Sequence, residues 1–406
     1  MIRRILLACL LIAMQLSLSR AGGSVYSRYG IGDLIFFGSN RSDAMGGIAI
    51  GLSGDGFINR INPAALSKIS LTRFSGSFEY SNFNSDDGLS SGTMSRGEFK
   101  GLAFAVPISL DHGIVLSADA APFSTVNYAV SYTAQQPNQT LFGTGGLNSL
   151  SLGLSYQPFP SLSLGAKASY LYGRTRQLLR VNFLDPTFSD SEVHTSRFFS
   201  GGQFTVGALF TGLAQIAEPF APLSLGFILN IPTELDARED RVVYFSERFD
   251  TTNTKRSSIE IPLGIGVGIS YQFSNRYVIG SDLFYQDWEK TNFFGTPAVD
   301  LRKRSRFGVG FEVLPPRELT GYWSRVHFRA GFSYHSTYYT INGRGIDEIM
   351  GTVGAGLPIG PDARLNIGLH YGVRGTTDAG LTKDTIFRLT LSVSASEAWF
   401  IRIEED

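Results

Sequence analysis

Ile261-Pro262-Leu263-Gly264-Ile265-Gly266-Val267-Gly268-Ile269-Ser270-Tyr271-Gln272-Phe273 carries an apolar side chain at every odd position and a small or polar residue at every even one. Successive side chains of an extended strand point to opposite faces, so this stretch presents one greasy face and one face of glycine, serine and glutamine. The same alternation returns in Leu150, Leu152, Leu154 and Tyr156, in Phe307, Val309, Phe311 and Val313, in Val326, Phe328, Ala330, Phe332 and Tyr334, and in Ala363, Leu365, Ile367, Leu369 and Tyr371. Gly264-x-Gly266-x-Gly268 is spaced by twos within a strand, which makes it a row of small inward residues and not a phosphate loop.

Working outward from this stretch, period-two segments are expected over 69–80, 97–107, 112–122, 147–157, 161–181, 197–212, 222–231, 257–273, 275–288, 302–313, 324–338, 347–358, 362–373 and 384–395. That makes about fourteen strands, an even number of segments of roughly ten residues or more, as a closed transmembrane barrel requires. The fold class expected is all-β: an antiparallel transmembrane β-barrel. Its connections alternate. Long ones are expected over 81–96, 123–146, 182–196, 232–256 and 289–301, and short ones at Ser109-Leu110-Asp111, Pro158-Phe159-Pro160, Ser274 and Gly360-Pro361. Long loops on one rim and tight turns on the other are the asymmetry of bacterial outer-membrane barrels, with turns facing the periplasm. The first connection is long, so the first strand runs outward and both termini are expected in the periplasm. A fourteen-stranded barrel is too wide for wall side chains alone to fill, so it must be a pore or be plugged.

Composition supports this class. The chain has 46 glycines, 31 phenylalanines and 17 tyrosines, with only 17% charged residues, against about 7% glycine and about 25% charge in average proteins. Acidic and basic residues balance at 35 each, so no global charge points to nucleic acid. Met1-Ile2-Arg3-Arg4, the apolar run Ile5–Met14 and Ser19-Arg20-Ala21 read as a cleavable secretory leader over residues 1–21. Cys9 is the single cysteine and leaves with that leader, so the mature chain has no disulfide and no thiol chemistry.

Residues 22–68 precede the first strand and do not alternate. Met45-Gly46-Gly47-Ile48-Ala49-Ile50-Gly51-Leu52-Ser53-Gly54-Asp55-Gly56 is glycine-dense, and Asn62-Pro63-Ala64 ends it at a residue that fixes φ and offers no N–H. From the turn side such a segment hangs free or folds up into the lumen, so a plug over 22–68 and a barrel over 69–406 are the expected domains. Gly46, Gly47, Asp55, Asn62, Pro63 and Ala64 are its motif residues, with Asp55 expected to latch the plug to a lumen arginine.

The order Met45-Gly46-Gly47, Asn62-Pro63-Ala64, Ala121-Pro122-Phe123 resembles the FadL/TodX family of outer-membrane transporters for long-chain fatty acids and other hydrophobic compounds. The resemblance implies a fourteen-stranded barrel, an N-terminal hatch ending in Asn-Pro-Ala, and a third-strand kink that opens the wall sideways. The family's Pro-Phe-Gly reads Pro122-Phe123-Ser124 here. Proline is expected only at a strand end, edge or bulge, so the residues alone allow either a lateral-gate kink at Ala121, Pro122 and Phe123 or a strand that ends there.

Catalytic chemistry is not expected. His112, His194, His327, His335 and His370 show no metal-ligand spacing, Ser324 and His327 lack a third partner, and neither a metal nor a cofactor is implied. Arg302-Lys303-Arg304-x-Arg306 and Arg238-Glu239-Asp240-Arg241 are placed near the outer strand ends, as solvated loop residues or as contacts to lipopolysaccharide phosphates or a substrate carboxylate. The first functional expectation is a transport channel for hydrophobic compounds such as long-chain fatty acids. Ligand would be captured in outer loops by Phe183, Leu184, Phe188, Val242, Val243, Tyr244 and Phe245, pass the plug, and exit sideways near Pro122. The second is a structural or docking barrel in an export or assembly system. A continuous apolar tunnel favours the first, and a sealed interior the second. Outer-membrane lipid, lipopolysaccharide and the barrel-assembly machinery are expected partners.

Overall fold

The computed structural model describes residues 22–132, 137–185, 187–213, 218–245, 248–297, 300–316 and 321–399; the expected leader and the tail after Trp399 lie outside them. Nineteen strands join in one antiparallel sheet. They are β1 (Asp33–Leu34), β2 (Thr72–Asp86), β3 (Ser91–Ser109), β4 (Ile114–Tyr132), β5 (Asn138–Phe159), β6 (Leu162–Asn182), β7 (Ser191–Phe210), β8 (Leu223–Asn230), β9 (Thr233–Phe245), β10 (Arg248–Ile261), β11 (Gly264–Phe273), β12 (Tyr277–Asp287), β13 (Asn292–Phe293), β14 (Thr296–Pro297), β15 (Lys303–Val313), β16 (His327–Ile341), β17 (Arg344–Pro358), β18 (Ala363–Arg374) and β19 (Lys383–Glu397).

The wall itself has fourteen strands. β8 and β9 together face β7, through Phe210↔Leu225 to Thr205↔Asn230 and then Ser200↔Asp236 to Ser191↔Phe245. β10 and β11 likewise make one wall strand against β9 and β8. The interruptions fall at Ile231-Pro232 and Pro262-Leu263, where proline has no N–H for the ladder. The second interruption corrects the reading of the 261–273 run as one strand. Ile261 is fully buried, while Leu263, Ile265, Val267 and Ile269 are exposed, so the break at Pro262 switches the face. β1, β13 and β14 lie outside the wall. The cylinder closes where β19 pairs with β2, from Lys383↔Asp86 to Glu397↔Thr72. Closure removes the two end edges of the sheet, where each unpaired backbone group in lipid would cost several kcal/mol.

The outward face is apolar: Leu150, Leu152 and Leu154 on β5, Phe204 and Val206 on β7, and Phe328 and Phe332 on β16 are exposed. The inward face is small, polar or charged, with Asp119, Asp282, Glu312, Arg329, Glu348 and Arg374 all buried. Three of the five expected long loops, 81–96, 123–146 and 232–256, prove to be mostly strand, and a fourth, 182–196, partly so. β2 and β3 continue to a turn at 87–90, β4 and β5 extend to Tyr132 and from Asn138, β7 starts at Ser191, and β9–β10 fill most of 232–256. These extensions rise beyond the apolar band, so neither face needs to be greasy and the period-two signal fades although the pairing continues.

Pro122 does not end its strand. β4 runs through it, with a register shift against β5 between Pro122 and Ser124. Pairing of β4 with β3 stops at Leu102↔Ala120. Beyond that point β4 takes its partners from the N-terminal segment, through Asp33↔Thr125, Leu34↔Ser124 and the bond from the Ile35 N–H to the Phe123 carbonyl (2.9 Å). The segment therefore starts high. A Cβ on Gly22 would meet the Met94 side chain and one on Gly23 the Asn127 carbonyl, both in the loop-side half of the wall. The first described residues thus lie at the loop-side rim, not at the turn side from which the segment is expected to enter the lumen. The backbone of β4 above the kink needs partners, and residues 22–35 supply them.

Candidate functional site: a stapled plug in a closed lumen

Residues 36–69 descend through the lumen, and their geometry is set by the glycines and asparagines singled out in the sequence. Gly46 and Gly47 have φ of +69° and +75°, a region open to glycine at no steric cost. A Cβ on Gly46 would lie 2.4 Å from the Phe332 carbonyl oxygen, so the segment rests directly on wall backbone. The wall is recessed to receive it. A Cβ on Gly226 would sit 1.9 Å from the Ile50 carbonyl, and one on Gly331 2.2 Å from the Gly46 nitrogen. Asn62 caps the 3-10 turn Pro63–Lys68 by accepting from the Ala64 N–H (3.0 Å), and its amide donates to the carbonyls of Ile50 (2.7 Å) and Ala208 (3.2 Å). Pro63 and Ala64 press on Gly165, where a Cβ would lie 2.3 Å from both the Pro63 carbonyl carbon and the Ala64 nitrogen.

Charge fastens the segment to the wall at every level. Asp33 pairs with Arg374 (2.7 Å), Arg41 with Glu312 (2.6 Å), Asp43 with His370 (3.1 Å) and Arg60 with Asp119 (3.4 Å). Asp282 of β12 accepts from the N–H groups of Ala49, Ile50 (2.6 Å) and Gly51 (3.3 Å). Hydrogen bonds to an ionised acceptor are about twice as strong as neutral ones. Asp55 lies at the turn end, accepting from the Ser70 N–H (2.9 Å) and facing Arg73 at 3.6 Å.

Above this segment an apolar core packs at the loop side of the lumen. Tyr26 and Ile31 of the N-terminal segment pack with Trp288, Tyr338, Tyr339, Ile259 and Leu381 from the loop-side rim. The Ile31 N–H donates to the Tyr338 hydroxyl (3.0 Å), which donates to the Gly32 carbonyl (2.8 Å), and the Trp288 and Tyr338 ring centres are 4.7 Å apart. Below this cap lie two cavities of about 100 Å³ each, one lined by Glu79, Lys100, Glu348, Arg374 and Arg388, the other by Arg60, Asp119, Lys167 and Arg304 beside Phe36 and Phe284. Neither is an apolar tunnel.

The remaining expected site residues fall as follows. Ala121 is buried, Phe123 packs against the apolar cap, and the Ser124 hydroxyl donates to the Ile31 carbonyl (2.7 Å). Phe183, Leu184 and Phe188 lie in the β6–β7 loop, with the two phenylalanine rings 5.4 Å apart. Val242, Val243, Tyr244 and Phe245 are not in a loop but within β9, paired with β7 and β10. Neither group lines the two cavities below the cap. The placement of Arg302, Arg304 and Arg306 at an outer headgroup position is also corrected. Arg302 pairs with Asp347 (2.5 Å), Arg304 bonds Gln286 (2.9 Å), and Arg306 donates to the Phe36 carbonyl (3.0 Å) inside the barrel. Sequence reasoning missed Asp33, Arg41, Asp43, Arg60 and their wall partners. Charged residues at inward positions of otherwise greasy strands were the signal that could have found them.

A family model described as BamG matches residues 1–404. The chain belongs to the BamG family. No curated protein matches it. Among solved structures, this BamG-family barrel is similar to the Pseudomonas putida toluene transporter TodX, with 15% identity and a TM-score of 0.60 over 88% of this chain and 98% of that one. It is also similar to the Ralstonia pickettii toluene transporter TbuX, at 14% identity and a TM-score of 0.60 over 87% and 97%. A Pseudomonas aeruginosa FadL homologue matches at 14% identity and 0.60 over 91% and 100%. At such identities the likeness is one of fold, and in that sense the resemblance to FadL/TodX barrels holds.

Proposed function

We propose that this BamG-family protein is a closed docking barrel of the bacterial outer membrane, working with the barrel-assembly machinery rather than passing a solute. The observation that carries this reading is the lumen: capped by Tyr26, Ile31, Trp288 and Tyr338, occupied by a segment tied to the wall through ion pairs, and lined by charged side chains in the hollows below the cap. Partners then meet the barrel on its rims or its outer wall. The test is purification of the tagged full-length chain from native outer membranes in mild detergent. The central assembly barrel is expected to co-purify, and depletion of this chain is expected to lower the level of other outer-membrane barrels. Recovery of the chain alone, with unchanged barrel levels, would overturn the proposal.

One observation favours a second reading, uptake of hydrophobic compounds such as long-chain fatty acids with sideways exit. Above Leu102↔Ala120 the strands β3 and β4 no longer pair, and a solute could leave there if residues 22–35 withdrew. Gly46, Gly47, Asn62, Pro63 and Ala64 would then act as the hatch, and Ala121, Pro122 and Phe123 as the gate. Phe183, Leu184, Phe188 and Val242–Phe245 would serve as a capture surface on the outer rim.

A further inference from the structure

The turn-side end of the lumen holds a cavity of about 210 Å³ whose charges do not balance. Its wall comes from strand residues close to the turns: Ser75 of β2, Glu312 of β15, His327 and Arg329 of β16, Arg364 of β18 and Ser394 of β19, with Arg41 and Phe57 from the plug. Glu312 is the one carboxylate lining it, and that group is already shared between Arg41 (2.6 Å), Arg329 (2.8 Å) and the His327 ring (3.2 Å). Arg60, which also lines the cavity, is engaged by Asp119 (3.4 Å). The Arg364 side chain has no hydrogen bond or ion pair among the described residues. It lies on the same side of Gly356 as Arg329, where a Cβ on Gly356 would come within 3.1 Å of the Arg364 Cδ and of an Arg329 guanidinium nitrogen.

Three guanidiniums, those of Arg41, Arg329 and Arg364, therefore line, with one carboxylate already engaged by the first two, a hollow large enough for several waters. A guanidinium offers five N–H donors in a planar fork that matches carboxylate and phosphate oxygens. Asn366, Ser392 and Ser394 border the same space. We infer that this chamber is an oxyanion-binding site, open to a phosphate or carboxylate group arriving from the turn side, with Arg364 as its principal donor and Arg329 beside it. The inference does not depend on the docking role, because it rests on the wall and plug residues alone.

The full-length barrel in detergent is titrated with inorganic phosphate and, separately, with acetate, against chloride at matched ionic strength, and its thermal unfolding is followed. Phosphate, acetate or both should raise Tm saturably, the active arm identifying the oxyanion class, and Arg364→Gln should raise the half-saturating concentration at least tenfold. Arg364→Lys keeps the charge but loses the fork and should fall between. Heat-modifiable gel mobility reports whether each variant is folded, and Arg256→Gln, at an exposed position of β10, serves as the control that leaves binding intact. No saturable gain over chloride in either arm, or equal gain in folded Arg364→Gln, would overturn the assignment.

Discussion

At the residue scale, single atoms decide whether the plug fits. Gly331 is the sharpest case, with a Cβ there meeting the Gly46 nitrogen at 2.2 Å, whereas a Cβ on Gly351 would find nothing nearer than the Tyr371 carbonyl oxygen at 3.9 Å. Overpacking a close-fitted site costs about 1–3 kcal/mol, so Gly331→Val should destabilise by at least that much and Gly351→Ala should be near neutral, as read by urea unfolding in lipid vesicles. Glu312 is fully buried beneath Arg41, Arg329 and His327. Breaking a buried pair by removing one partner costs about 3–5 kcal/mol, and Glu312→Gln should show a loss of that order by the same measurement. Asp55 is half exposed beside Arg73, where pairs contribute about 0–1 kcal/mol, so Asp55→Ala should unfold within that margin of the wild type. The latch is thus Glu312 and Arg41 more than the aspartate the sequence draws attention to. Glycine density and Asn-Pro-Ala were legible because they constrain the local backbone. The ion pairs were not, because their members lie hundreds of residues apart and only the closed cylinder brings them together.

At the scale of elements, the decisive feature is the exchange of partners along β4. Its lower half pairs with β3, and beyond Pro122 it pairs with Asp33, Leu34 and Ile35 and takes the Ser27 hydroxyl at Asn127. The Ser27 hydroxyl donates to the Asn127 carbonyl (3.1 Å) and accepts from the Asn127 N–H (3.0 Å), so the two stay together if the gap is held shut. Ser27→Cys with Asn127→Cys should form a disulfide in the folded barrel, on a mature chain expected to carry no other cysteine, and mass spectrometry of the oxidised protein reads it directly. Persistent free thiols in the folded protein would mean that the segment spends its time elsewhere. Strands inside the apolar band could be read from alternation alone, as β5, β15 and β18 show. The strand extensions beyond the band could not, because their pairing continues where the lipid that imposes alternation does not. The breaks at Pro232 and Pro262 were visible as prolines, but their effect, a switch of face between Ile261 and Leu263, belongs to the register with β8 and β9 and not to the local sequence.

At the scale of the whole molecule, two separate features occupy the lumen of a barrel of the FadL/TodX shape. An apolar cluster built around Tyr338 and Trp288 packs at the loop side, and an N-terminal segment held by ion pairs lies below it; that together they close the barrel is the proposal made above. The cavity below the cap is lined by Glu79, Lys100, Glu348 and Arg388 as well as by Phe36, Phe37 and Met350, and on the closed-barrel proposal a greasy solute would not cross it. The barrel and its strand number followed from the pattern of greasy faces, while the state of its interior did not, because fold and function are separable. The most direct test is the rate at which labelled oleate and toluene enter outer-membrane vesicles with and without the protein. The closed-barrel account predicts the same rate in both; faster uptake with the protein, abolished when the Ser27→Cys, Asn127→Cys double variant is oxidised, would contradict it.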